Sequence, residues 1–62
     1  MDNLKELYDK CFDEQGNIKQ CGRQNCINLI LACQKFGGRN YGDIETGYMN
    51  VDAIKQLMKE VN

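Results

Sequence analysis

The residues with the most distinctive chemistry in this 62-residue chain are its four cysteines. They are Cys11, Cys21, Cys26 and Cys33. A cysteine can form a disulfide, bind a soft metal ion or act as a nucleophile, or it can fill a core as a small apolar side chain. Spacing and surroundings must decide between these roles.

Disulfide bonds are not expected. The N-terminal segment has no basic stretch followed by an apolar run, so it does not resemble a secretory signal, and we expect a reducing cytoplasm. Cys26 and Cys33 are separated by about 10.5 Å of helical rise, which exceeds the reach of a disulfide. Three of the four cysteines fall on apolar faces, which predicts reduced thiols in the core. A bridge from Cys11 to Cys26 or Cys33 is the alternative.

A metal site is not expected either. Zinc sites use closely spaced ligand pairs, whereas this chain has no CxxC pair and no histidine. Asp43 and Glu45 could bind magnesium, but two loop acids are weak support. A calcium loop with Gly16 at its sixth position would start at Cys11 and end at Gly22, and neither is a carboxylate. We therefore predict no metal and no cofactor.

An enzyme is the least expected class of protein. Acid–base and nucleophilic catalysis usually recruit histidine, and a buried cysteine would lack a base to activate it. The chain also has no apolar run of membrane-spanning length, so we expect no membrane partner.

The element that should organise the fold is an apolar helix over 22–36. Residues at helical spacing form its predicted core stripe: Cys26, Leu29, Ile30, Cys33 and Phe36. Ile27 and Leu31 fall outside this stripe. They contact either neighbouring helices of the same chain or a second subunit or partner.

Amphipathic helices flank the central one. The first, over 3–13, has apolar residues at one-face spacing: Leu4, Leu7, Tyr8, Cys11 and Phe12. The next connection should be a turn with Ile18 plugging the core, and Gly37-Gly38 should end the central helix. After a long loop over 39–49, Asn50 predicts the cap of a third helix, whose apolar stripe is Val51, Ile54, Leu57, Met58 and Val61. The predicted fold is all-α: one domain, 1–62, forming a compact three-helix bundle.

Charge is unevenly distributed along the chain. The net charge is −1, but the stretch 15–40 contains no acid and carries Lys19, Arg23, Lys35 and Arg39. One interpretation is that this basic stretch pairs with the acidic flanking helices. The other is that it binds nucleic acid, with Gln24 joining the four basic residues at the interface.

Binding to another macromolecule is the function that fits most of these features. We predict a non-enzymatic protein-interaction module, a regulator, inhibitor or assembly subunit that also self-associates. The predicted contact residues are Ile27, Leu31, Arg39, Tyr41 and Tyr48. The two tyrosines could instead pin the long loop to the core. The alternatives are a small nucleic-acid-binding protein and a structural subunit of a larger particle such as a phage assembly.

Overall fold

Three helices and a two-stranded sheet make up the fold. The computed structural model describes residues 2–61, and the side chains of 4–61. The elements in chain order are α1 (Asp2–Cys11), α2 (Arg23–Gly37), β1 (Gly42–Asp43), β2 (Tyr48–Met49) and α3 (Val51–Val61). All three predicted helices are confirmed, with bounds that differ by one or two residues. None of the helices within 2–61 combines the length and apolar character needed to cross a membrane.

The prediction of an all-α bundle is wrong, because the long loop contains an antiparallel hairpin. Gly42 pairs with Met49 and Asp43 with Tyr48. Gly42 has φ +149°, and a Cβ there would lie 2.5 Å from the carbonyl oxygen of Tyr48. Only glycine permits this backbone and this close approach. The Gly47 N–H donates to the Asp43 carbonyl (2.8 Å), which closes the turn.

The core is formed by all three helices and by the hairpin segment. Its buried residues are Leu4, Cys11, Phe12, Leu29, Ile30, Cys33, Tyr41, Met49, Ile54, Leu57 and Met58. The stripes predicted for the first and third helices are therefore confirmed, with Leu7, Tyr8, Val51 and Val61 packed at their edges. The stripe of α2 is confirmed only in its middle, because Phe36 in the last turn is 44% exposed.

Two details of the connections complete the fold. Ile18 is exposed instead of plugging the core, because it pairs with Phe12 in an isolated antiparallel bridge and the Phe12 ring takes the buried position. Gly38 ends α2 in the left-handed conformation (φ 67°), and its N–H donates to the Gln34 carbonyl. This is the glycine cap that the sequence predicts.

Candidate metal centre

Three of the four cysteines meet where α1 ends and α2 begins. Cys11 is the last residue of α1, Cys21 lies in the connection, and Cys26 follows the first turn of α2. Their Sγ atoms all lie within 4.8 Å of one another. The Cys21 Sγ is central, at 2.9 Å from the Cys11 Sγ and 3.5 Å from the Cys26 Sγ.

Hydrogen bonds to the Asp13 side chain and within the backbone of the connection bring Cys21 back to Cys11. The Asp13 carboxylate accepts the backbone N–H groups of Gln15 (3.0 Å) and Asn17 (2.8 Å), which reverses the chain. The Lys19 N–H then donates to the Cys11 carbonyl at 2.8 Å. Ten residues of sequence therefore separate two thiols that are neighbours in space.

The start of α2 positions the third thiol. Gly22 precedes the helix with φ 88°, and its carbonyl accepts the Cys26 N–H at 3.3 Å. The Asn25 side-chain amide donates to the Cys21 carbonyl, which fastens the connection to the first helical turn. The helix start thereby fixes the spacing between Cys21 and Cys26.

The prediction that the chain has no metal site is wrong on this geometry. In a tetrahedral site with metal–sulfur bonds of about 2.3 Å, neighbouring sulfur atoms are roughly 3.8 Å apart. Two observed separations, 2.9 and 3.5 Å, are shorter than that value, and none of the three exceeds 4.8 Å. The three sulfur atoms are therefore close enough together to serve as ligands of one metal ion.

The three thiols differ in exposure and acidity. Cys11 is fully buried, whereas Cys21 and Cys26 are half-buried. Burial raises the pKa of Cys11, and the neighbouring Cys21 raises it further. Burial likewise raises the pKa of Cys26, with Cys21 adding to the effect. Both thiols are therefore protonated at neutral pH, and a metal ion would have to displace their protons.

Cys33 does not belong to the cluster. It is fully buried among the core residues of α2, and desolvation alone raises its pKa to about 11. It matches the predicted role of a reduced core thiol and serves as an internal comparison for the other three.

The residues predicted to contact a partner lie in different environments. Tyr41 is only 2% exposed, so it pins the chain to the core and is not available to a partner. Tyr48 is 79% exposed and Leu31 46% exposed, whereas Ile27 is half-buried. Arg39 is exposed just beyond the end of α2.

The residues predicted to contact nucleic acid are distributed along α2 and the connections on either side of it. Arg23 donates to the carbonyl of Glu45 in the hairpin turn, and Gln24 donates to the Asn28 side chain. Lys35 lies twelve residues beyond Arg23, about 18 Å along the helix axis. Lys19 and Arg39 are exposed in the connections on either side of α2.

Charge pairing between the helices is not observed among the side chains of 4–61. The salt bridge present there joins Lys5 and Asp9 within α1. Arg23 is bound by a backbone carbonyl and not by a carboxylate. In the part of the chain that the structure describes, no salt bridge therefore joins the basic stretch 15–40 to the acidic flanks.

The sequence contains a weak signal for the thiol cluster. Cys11 lies near the end of an apolar stripe, and Cys21 and Cys26 straddle a helix start five residues apart, which is wider than a CxxC pair. The cluster can be recognised only if the chain reversal at Asp13 is known, and rules based on the spacing of ligands in the sequence do not predict that reversal.

Comparisons with known proteins add no functional information. No family model matches the sequence, and no match is found among curated proteins or solved structures.

Proposed function

We propose that this protein binds one thiophilic metal ion through Cys11, Cys21 and Cys26. The observation that supports the proposal is the convergence of three Sγ atoms within 4.8 Å. Thiolates are soft ligands that favour zinc, copper(I) and related ions. Free thiols are required, so the proposed compartment is a reducing cytoplasm.

A bound ion would also strengthen the fold. Its three ligands come from the end of α1, the connection and the start of α2, so the ion links three successive segments. Domains of about this size often need a metal, a disulfide or a second subunit, because their cores are small. Metal-binding free energy then contributes directly to folding free energy.

Native mass spectrometry of the reduced protein with cadmium tests this proposal. We expect one Cd²⁺ per chain, and we expect Cys21→Ser and Cys26→Ser to lose the ion. Both residues are half-buried, so these variants should keep the fold, which circular dichroism checks. Cys33→Ser is the matched control and should bind Cd²⁺ like the wild type. Absence of Cd²⁺ from the wild type, or equal loss from the Cys33 variant, would contradict the proposal.

A second candidate function is binding of a protein partner. It is favoured by exposed large apolar side chains, among them Leu31 on α2 and Ile44 and Tyr48 on the hairpin. Leu31 lies about 150° around the helix from the centre of the buried residues Leu29, Ile30 and Cys33, counting roughly 100° per residue. Self-association, measured by sedimentation of the wild type and of Leu31→Glu, tests this candidate.

A further inference from the structure

We infer that the thiol cluster is a three-coordinate site suited to a soft monovalent ion, copper(I), and incomplete for zinc. This inference rests on the proposed function. It adds the coordination number and therefore the class of ion. Three observations support it: the number of ligands, the position of the fourth cysteine and the charge around the site.

The number of ligands is three. Among the side chains of 4–61, no other cysteine or acidic residue joins Cys11, Cys21 and Cys26, and the sequence has no histidine. Zinc in proteins is almost always four-coordinate and tetrahedral. Copper(I) is a closed-shell, soft ion that thiolates bind well, and three sulfur ligands satisfy it without a fourth.

The fourth cysteine cannot complete the site without a rearrangement. Cys33 lies seven residues after Cys26 on the same helix, about 10.5 Å along its axis. It is fully buried in the core. Bringing its sulfur to the cluster would require unwinding α2, and zinc would therefore need a ligand from outside the chain.

The local charge suits an anionic centre. Copper(I) with three thiolates carries a net charge of −2, compared with −1 for zinc with the same ligands. Cys21 lies just before α2 and Cys26 lies near its start, where the helix dipole favours negative charge, and the first turn of this helix contains no acid. Cys21 and Cys26 also lie in the stretch 15–40, which contains no acidic residue.

X-ray absorption of the copper(I)-loaded protein measures the coordination number directly. The reduced wild type is loaded anaerobically with one equivalent of copper(I) supplied as its acetonitrile complex. We expect three sulfur neighbours around copper, unchanged in Cys33→Ser and reduced to two in Cys21→Ser. Two sulfur neighbours in the wild type, or a fourth that disappears in Cys33→Ser, would overturn the inference.

A zinc titration with and without imidazole gives an independent test. Because a three-thiolate site lacks a fourth zinc ligand, added imidazole should tighten zinc binding by about 10-fold or more, a free energy of about 1.4 kcal/mol. Copper(I) affinity, measured against a chromophoric chelator, should not change. A zinc affinity that does not change when imidazole is added would contradict the inference, but it would not contradict the proposed function. Failure of both ions to bind would contradict the proposed function itself.

Discussion

The two connections between the helices have contrasting architectures. The first, between α1 and α2, turns inward and brings Cys11, Cys21 and Cys26 together. The second, between α2 and α3, forms the hairpin and directs Ile44 and Tyr48 toward solvent. The first connection therefore brings candidate metal ligands together, whereas the second exposes apolar side chains that a partner could contact. In a chain this short, two segments without helical periodicity carry different candidate functions.

The largest expected effect is a loss of stability in the second connection. It should distinguish the buried tyrosine of this connection from the exposed one. Tyr41→Ala should lower the free energy of unfolding by about 3–5 kcal/mol, as for other large aromatic residues removed from a core. Its hydroxyl and ring lie where a Cβ on Gly37 would sit, so the side chain fills the space beside the end of α2. Tyr48→Ala should change that free energy by no more than about 0.5 kcal/mol. Urea denaturation measures both, and equal losses would show that the hairpin is packed differently.

The next effect concerns the first connection. At a free Cd²⁺ concentration of 100 times Kd, the wild type should gain about 2.7 kcal/mol of stability. Cys26→Ser should gain far less, because the ion then has two thiol ligands. Thermal unfolding of both proteins with and without Cd²⁺ provides the comparison. If the variant is stabilised as much as the wild type, the ion binds elsewhere.

A smaller effect should appear at alkaline pH in the metal-free, reduced protein. Burial raises the pKa of Cys33 from 9.0 to about 11. The folded state therefore holds this proton more tightly than the unfolded state, and its contribution to stability is fully present below pH 9. That contribution is lost as the pH rises from about 9 to about 11. Denaturant unfolding at several pH values should show this decline.

Cys33→Ala is the variant that isolates the core thiol. The free energy of unfolding of this variant should decline less at alkaline pH than that of the wild type. Cys11 and Cys26 still contribute to the decline, because burial also raises their pKa values. A decline identical to that of the wild type would mean that Cys33 is not desolvated.

The smallest effect on stability is expected at the exposed face of α2. Leu31→Glu should retain helix content and change the free energy of unfolding by no more than about 0.5 kcal/mol, while dissociating any oligomer. Circular dichroism and analytical ultracentrifugation measure the two properties. Unfolding of this variant would place Leu31 in the core and remove it from the candidate interface.

The helices could be predicted from the sequence because each has a regular apolar stripe and a recognisable end. The stripe of α3, Val51 to Val61, and the glycine cap at Gly38 are both confirmed. The hairpin could not be predicted, since its strands are two residues long and have no measurable alternation. Gly42 leaves room for both the Tyr48 carbonyl and the Ile30 side chain of α2, and the second of these is a tertiary contact.

The candidate metal centre was missed for a related reason. Ligand-spacing rules consider residues close in sequence, whereas Cys11 and Cys21 approach through the chain reversal at Asp13 and the bond from Lys19 to the Cys11 carbonyl. The two tyrosines of the second connection illustrate the same limit. The sequence leaves both open to partner contact or to pinning the loop to the core, and the structure separates them: Tyr41 is buried against the end of α2, whereas Tyr48 is 79% exposed.

The most direct test of the central claim is an anaerobic Cd²⁺ titration followed by thiolate-to-cadmium charge-transfer absorption, whose intensity counts the bound thiolates. We predict saturation at one ion per wild-type chain with an intensity for three thiolates. Cys33→Ser should show the same intensity, and Cys21→Ser should show a lower one. Absence of the absorption band in the wild type, or an equal loss in Cys33→Ser, would contradict the account.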